Sequence, residues 1–193
     1  MSTGRLISGD YLIDYPESSG VKLWDPYLKN DMVSVLFGSS DTAKSSFIRH
    51  LCLNIVAGKN EFLGLPLNTV HKRALIVTTE DMPSDITGVV SKVAGTYIDK
   101  ESLKRLGFYF EFNNSYEHIN SLLEENPCDI VVIDVWSDTF KGNPNDFTQV
   151  SQSMMPFKKL GSTQKTLVVL IHHSIKHSEN KIPCNLIHKF CVK

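Results

Sequence analysis

The segment Gly38-Ser-Ser-Asp-Thr-Ala-Lys-Ser45 has the spacing of a loop that cradles a polyphosphate. In the pattern G-x-x-x-x-G-K-[ST], backbone N–H groups fold inward around the phosphates. The lysine reaches the β- and γ-phosphates, and the final hydroxyl ligates Mg²⁺. Gly38, Lys44 and Ser45 match, while Ala43 stands where the second glycine belongs. The expected binding residues are Gly38, Ser39, Ser40, Asp41, Thr42, Ala43, Lys44, Ser45 and Ser46, and the expected ligands are ATP and Mg²⁺. If position 43 needs a positive φ, an alanine costs about 1–2 kcal/mol. If it needs only closeness to phosphate, one methyl is the smallest intrusion. Weakened or retuned binding is therefore expected rather than none.

Further chemistry-bearing residues follow apolar runs. Asp134 ends Ile130-Val-Val-Ile133 in the form of a Walker B strand, where an acidic residue holds Mg²⁺ opposite the loop serine. Glu80 follows Ala74-Leu-Ile-Val-Thr-Thr79 and is suited to orient and polarise an attacking water. His172 or His173, after Thr166-Leu-Val-Val-Leu-Ile171, would sense or stabilise a γ-phosphate. Adjacent strand residues face opposite ways, so one of the two is expected to see the nucleotide. His172, the first past the apolar run, is the favoured one.

These residues need strands that end together. Met32–Phe37 reads as a strand stopped by Gly38, and Phe47, Ile48, Leu51, Cys52, Ile55 and Val56 recur at helical spacing up to Gly58. Residues 84–97 read as a helix capped by Ser84, with Ile86, Val89, Val90 and Val93 on one face. Phe108, Phe110 and Phe112 suggest a strand, and Tyr116–Glu125 a helix stopped before Pro127. Phe147–Leu160 reads as a helix kinked or divided by Pro156. Solid apolar strands alternating with helices imply an α/β domain with a mainly parallel central sheet. In such sheets ligands collect outside the C-terminal strand ends, where all these residues fall.

Together these residues resemble the RepA-like AAA ATPases of the RecA-type superfamily. The resemblance spans about 30–176. It includes the loop GSSDTAKSS, the stretch from Ala57-Gly58 to Phe62-Leu-Gly-Leu-Pro66, LIVTTED, VVIDVWSDTFKGNPND and LVVLIHHSIK. It implies a three-layer RecA-like fold, Mg-dependent ATP hydrolysis, ring-shaped homo-oligomers and a helicase-like role in replication or maintenance of a mobile element, with single-stranded DNA as a partner. By position, Lys44 and Ser45 are the loop residues, Glu80 the catalytic glutamate, Asp134 the Walker B aspartate, and His172 or His173 the sensor. Such proteins continue past HHS-x-K with more strands and an arginine finger. The tail SENKIPCNLIHKFCVK does not resemble that continuation, so the chain is read as C-terminally truncated.

The implied organisation is an extension over 1–30, an ATPase domain over 31–176 and a poorly ordered tail over 177–193. The chain has 193 residues, enough for one domain, with twenty Lys and Arg against twenty-one Asp and Glu. That balance gives no global argument for nucleic-acid binding. No apolar run approaches the roughly 18 residues of a membrane span, and the four cysteines form no C-x-x-C pair, so a reduced, cytoplasmic protein is expected. Cys184, His188 and Cys191, with His177, make only a weak zinc pattern, and Lys158, Lys159 and Lys165 read as a solvated face. The competing reading is a module that binds nucleotide or a partner without turnover, which Ala43 favours. For a kinase, no acceptor motif is recognisable.

Overall fold

A computed structural model describes residues 8–13, 21–40, 42–110, 116–140, 142–143 and 146–174. In chain order the elements are α1 (Gly9–Ile13), β1 (Val33–Ser39), α2 (Lys44–Val56), the small strands β2 (Glu61–Phe62) and β3 (Leu65–Pro66), β4 (Ala74–Thr78), α3 (Pro83–Val93) and α4 (Lys100–Leu103). They continue with β5 (Leu106–Tyr109), α5 (Tyr116–Glu125), β6 (Ile130–Asp134), α6 (Trp136–Thr139), α7 (Phe147–Gln164) and β7 (Leu167–Ser174). Asp41, Phe112, His177, Cys184, His188 and Cys191 lie outside the described residues.

Five strands form one sheet in the order β1-β7-β6-β4-β5, and every pairing in it is parallel. Every residue of β4 and β6 is buried, as solid apolar runs covered on both faces should be. Alternate residues serve opposite faces. Ile76, Val132, Val169 and Ile171 pack with Ile48, Leu51, Cys52 and Ile55 of α2. Val77, Val131, Ile133, Val168 and Leu170 pack with Ile119 and Leu123 of α5 and with Met154, Phe157 and Leu160 of α7. The result is three layers, the α/β architecture of a RecA-like domain. Leu23, from the segment before β1, is fully buried in the α2-side core. Burial pushes the Cys128 thiol up to about 12 and the Cys52 thiol up as well, so both are packing groups.

Several boundaries differ from the sequence reading. Gly38 does not stop β1, which runs to Ser39, and β7 extends through both histidines: His172 pairs with Phe37 and His173 with Gly38. Helix α3 starts at Pro83, and Met82 rather than Ser84 holds the cap position. Proline suits the first helical position, and Asp85 accepts a hydrogen bond from the Met82 N–H at 2.9 Å. The helix ends at Val93, and of its expected apolar face only Ile86 is buried. Pro156 does not divide α7, which is one helix of 18 residues. Pro156 and Gln152 are exposed, so the carbonyl that the proline leaves unpaired faces water.

Asp129, immediately before β6, fixes the approach to β4. Its fully buried carboxylate accepts from the backbone N–H groups of Val70 (2.8 Å), His71 (3.1 Å) and Lys72 (2.6 Å). Its own N–H donates to the Arg73 carbonyl at 2.9 Å. Asp129→Ala would orphan three donors at about 1–3 kcal/mol each, part of which water recovers at this half-open loop. The expected loss is about 2–4 kcal/mol in urea unfolding, with the m-value unchanged. A loss below about 0.5 kcal/mol, the usual size for an uninvolved surface site, would contradict this role.

Candidate nucleotide-binding site

The C-terminal ends of β1, β7, β6 and β4 bring the phosphate-type loop, His173, Asp134 and Glu80 together. The loop leaves β1 at Ser39 and enters α2 at Lys44. A Cβ on Gly38 would sit 3.3 Å from Thr42 Oγ1 and 3.6 Å from Lys44 Cδ, so glycine there lets the loop fold back on itself. Thr42 Oγ1 donates to the Ser39 carbonyl at 2.8 Å and closes the turn. Ala43 adopts φ 58° and ψ 25°, a left-handed conformation, and its carbonyl accepts the first helical bond from Phe47 N at 2.8 Å. Position 43 therefore needs the positive φ that glycine supplies freely. No side chain among the described residues caps α2, so its first-turn N–H groups point into the loop with the positive end of the helix dipole. Ala43→Gly is expected to relieve about 1 kcal/mol and raise Tm by about 2–4 °C. A melting scan showing no rise would contradict the strain.

Lys44 is 7% exposed. Its Nζ donates to the carbonyls of Gly38 (3.0 Å) and Ser39 (2.7 Å), and lies 3.3 Å from Thr42 Oγ1 and from His173 Nδ1. The ammonium can only donate, so His173 Nδ1 is the acceptor and Nε2 carries the proton. Nε2 lies 3.5 Å from Glu80 Oε2. Lys44, His173 and Glu80 thus line up from the loop to the end of β4: the first link is a hydrogen bond, the second a longer contact in which Nε2 has no hydrogen-bond partner among the described residues. It is His173 that faces the loop. His172 stacks on Phe37 and meets the Trp136 ring edge-on, on the other side of the sheet. Burial holds the His172 pKa below its ordinary value, and the neighbouring His173 and Lys44 push it the same way. This reverses the expected order of the two histidines. The reason is register: β7 continues past the apolar run, so strand parity assigns the faces.

Ser45 Oγ donates to Asp134 Oδ1 at 3.2 Å. Asp134 is 2% exposed. Burial raises its carboxyl pKa, while the Ser45 hydrogen bond and the Arg49 charge oppose that rise. Glu80, Asp134 and His173 offer ligand atoms that all lie within 4.8 Å of one another. Two of these three donors are carboxylate oxygens, the hard ligands a divalent cation such as Mg²⁺ prefers, and the third is an imidazole nitrogen.

The sequence reading missed Arg49, Thr78 and the structural use of Asp81. Arg49 Nη2 pairs with Asp81 Oδ2 and lies 3.5 Å from Asp134 Oδ2. Thr78 Oγ1 donates to Asp81 Oδ2 at 3.2 Å and accepts from Asp81 N at 3.1 Å. The available signal was the Ser45-to-Arg49 spacing, which puts both residues on one helix face. Thr79 ties the ends of β4 and β6 together: its Oγ1 donates to Asp138 Oδ2 at 2.9 Å and its N–H to the Asp134 carbonyl at 2.9 Å.

A family model described as an AAA domain matches residues 13–179, most of the chain. The chain belongs to this AAA domain family. It is accordingly a P-loop nucleotide-binding domain of the ATPase class. None of the curated proteins matches the chain. Among the described residues of this AAA domain, no helix is long and apolar enough to cross a membrane.

Proposed function

We propose that the chain binds ATP with Mg²⁺ at Gly38–Ser46 and hydrolyses it, in a RepA-like, helicase-type role on single-stranded DNA in the cytoplasm. The family's ring-shaped homo-oligomer, within which neighbouring copies complete each site, belongs to this reading. The observation that carries it is the meeting of two arrangements, Ser45 on Asp134 and Lys44–His173–Glu80, at one edge of the sheet.

In this reading each residue has a role that its placement supports. The α2 amides and Lys44 neutralise phosphate charge. Ser45 and Asp134 would hold Mg²⁺, which when bound supplies charge neutralisation across the β- and γ-phosphates. Glu80, half exposed at the mouth of the site, orients a water and accepts its proton. His173, fixed between Lys44 and Glu80, couples the phosphate end of the site to that base.

Ala43 supports a second reading, nucleotide binding without efficient turnover, because its left-handed conformation strains the loop. Measuring ATP binding and phosphate release, with and without single-stranded DNA, separates the two. Turnover that DNA stimulates supports the helicase-type role. Binding without release, even at high protein concentration, favours the second reading, and no binding contradicts both.

A further inference from the structure

We infer that Arg49 is a positioning residue that acts as a tethered cation on Asp134 and sets how tightly the chain takes a divalent ion. This rests on the proposed Mg²⁺ role of Ser45 and Asp134.

Arg49 lies one helical turn beyond Ser45 on α2 and points toward the same strand ends. The two Asp134 oxygens are divided between these neighbours: Oδ1 accepts from Ser45, and Oδ2 faces Arg49 Nη2 at 3.5 Å. The same Nη2 pairs with Asp81, which Thr78 anchors at the end of β4. Side-chain exposure is 17% for Arg49 and 2% for Asp134, so solvent screens this contact poorly. Arg49 Nε is buried and has no hydrogen-bond partner among the described residues, which leaves the guanidinium held mainly by the two aspartates. A guanidinium does not lose its proton in a protein, so its charge is permanent.

Glu80, Asp81 and Asp134 gather negative charge where a divalent ion would sit, and Arg49 cancels part of it at close range. Lys44 is the other fixed cation here, but its ammonium is turned to the loop carbonyls and His173. The consequence is a site with low affinity for a bare ion. It takes one well only when nucleotide phosphates add their own oxygens.

The test is Mn²⁺ binding to the full chain, with and without ADP, followed by the electron paramagnetic resonance signal of free Mn²⁺. Arg49→Gln is expected to tighten nucleotide-free Mn²⁺ binding by about tenfold or more, and Arg49→Lys, which keeps the charge, to stay near the native value. Asp81→Asn frees Arg49 to turn fully onto Asp134 and is expected to weaken binding by about tenfold. Its refuting outcome, unchanged affinity, remains available if Arg49→Gln folds poorly. Unchanged or weaker affinity in a folded Arg49→Gln chain, or unchanged affinity in Asp81→Asn, overturns the inference and leaves the metal role of Asp134 standing. No Mn²⁺ binding in any variant, even with ADP, overturns both.

Discussion

Replacing Lys44 by alanine is expected to weaken Mg·ATP binding by about 100- to 1,000-fold. In the proposed complex the ammonium gives charge-assisted hydrogen bonds to the β- and γ-phosphates, each worth about 1.5–3 kcal/mol. Two such bonds sum to about 3–6 kcal/mol, of which about 3–4 kcal/mol is left once the contacts Lys44 already makes are exchanged, and each 1.4 kcal/mol is about tenfold in affinity. The side chain already sits in place, held by the Gly38 and Ser39 carbonyls. Its three N–H groups are engaged there and by His173, so phosphates gain the ammonium as those neutral contacts are exchanged for charged ones. Lys44→Arg is a useful companion. It keeps the charge, but a planar fork cannot enter the narrow space beneath Gly38 and Thr42 in the same way, so only partial recovery is expected. Titration calorimetry with ATP and Mg²⁺ checks both variants. Native-like affinity in Lys44→Ala would contradict the assigned role.

Glu80→Gln is expected to lower the turnover rate by about 10²- to 10⁴-fold while leaving ATP affinity near the native value. The amide is nearly isosteric, and His173 Nε2 makes no hydrogen bond to Glu80 that the change would break, so the Lys44–His173 contact survives. What it loses is the capacity to take a proton from water. The separation of binding from turnover is the informative part. A structural role would instead lower stability or affinity, with turnover following. Pre-steady-state phosphate release at saturating ATP measures the chemical step, and an unchanged rate there would remove Glu80 from the base role.

The frame of this domain is legible in the sequence because burial on both sheet faces demands solid apolar runs. Residues 74–78 and 130–134 show that demand directly, and Tyr116–Glu125 shows the helical period of a half-covered surface. The edge strand β5 is blurred, because its residues are only partly buried and tolerate mixed side chains. The site itself is legible in its acidic and basic residues but not in its geometry. Nothing in the residue types says that Ala43 takes a positive φ, because the strain is stored in the backbone. The choice between His172 and His173 depends on how far β7 follows β1, a pairing between segments over 130 residues apart. Arg49 is hidden among Phe47, Ile48, Leu51 and Cys52, where the apolar face dominates the pattern. Its partners come from the ends of two other strands, and only the assembled sheet brings them within reach.

The central claim is that the Gly38–Ser46 loop is where nucleotide phosphates sit. Amide hydrogen exchange on the full chain, with and without Mg·ATP, tests it most directly. Slowed exchange is expected at the amides of 38–46 and the first turn of α2, with little change along β5 at the far edge of the sheet. Unchanged exchange across the loop at saturating nucleotide, or protection confined to another part of the chain, would contradict it.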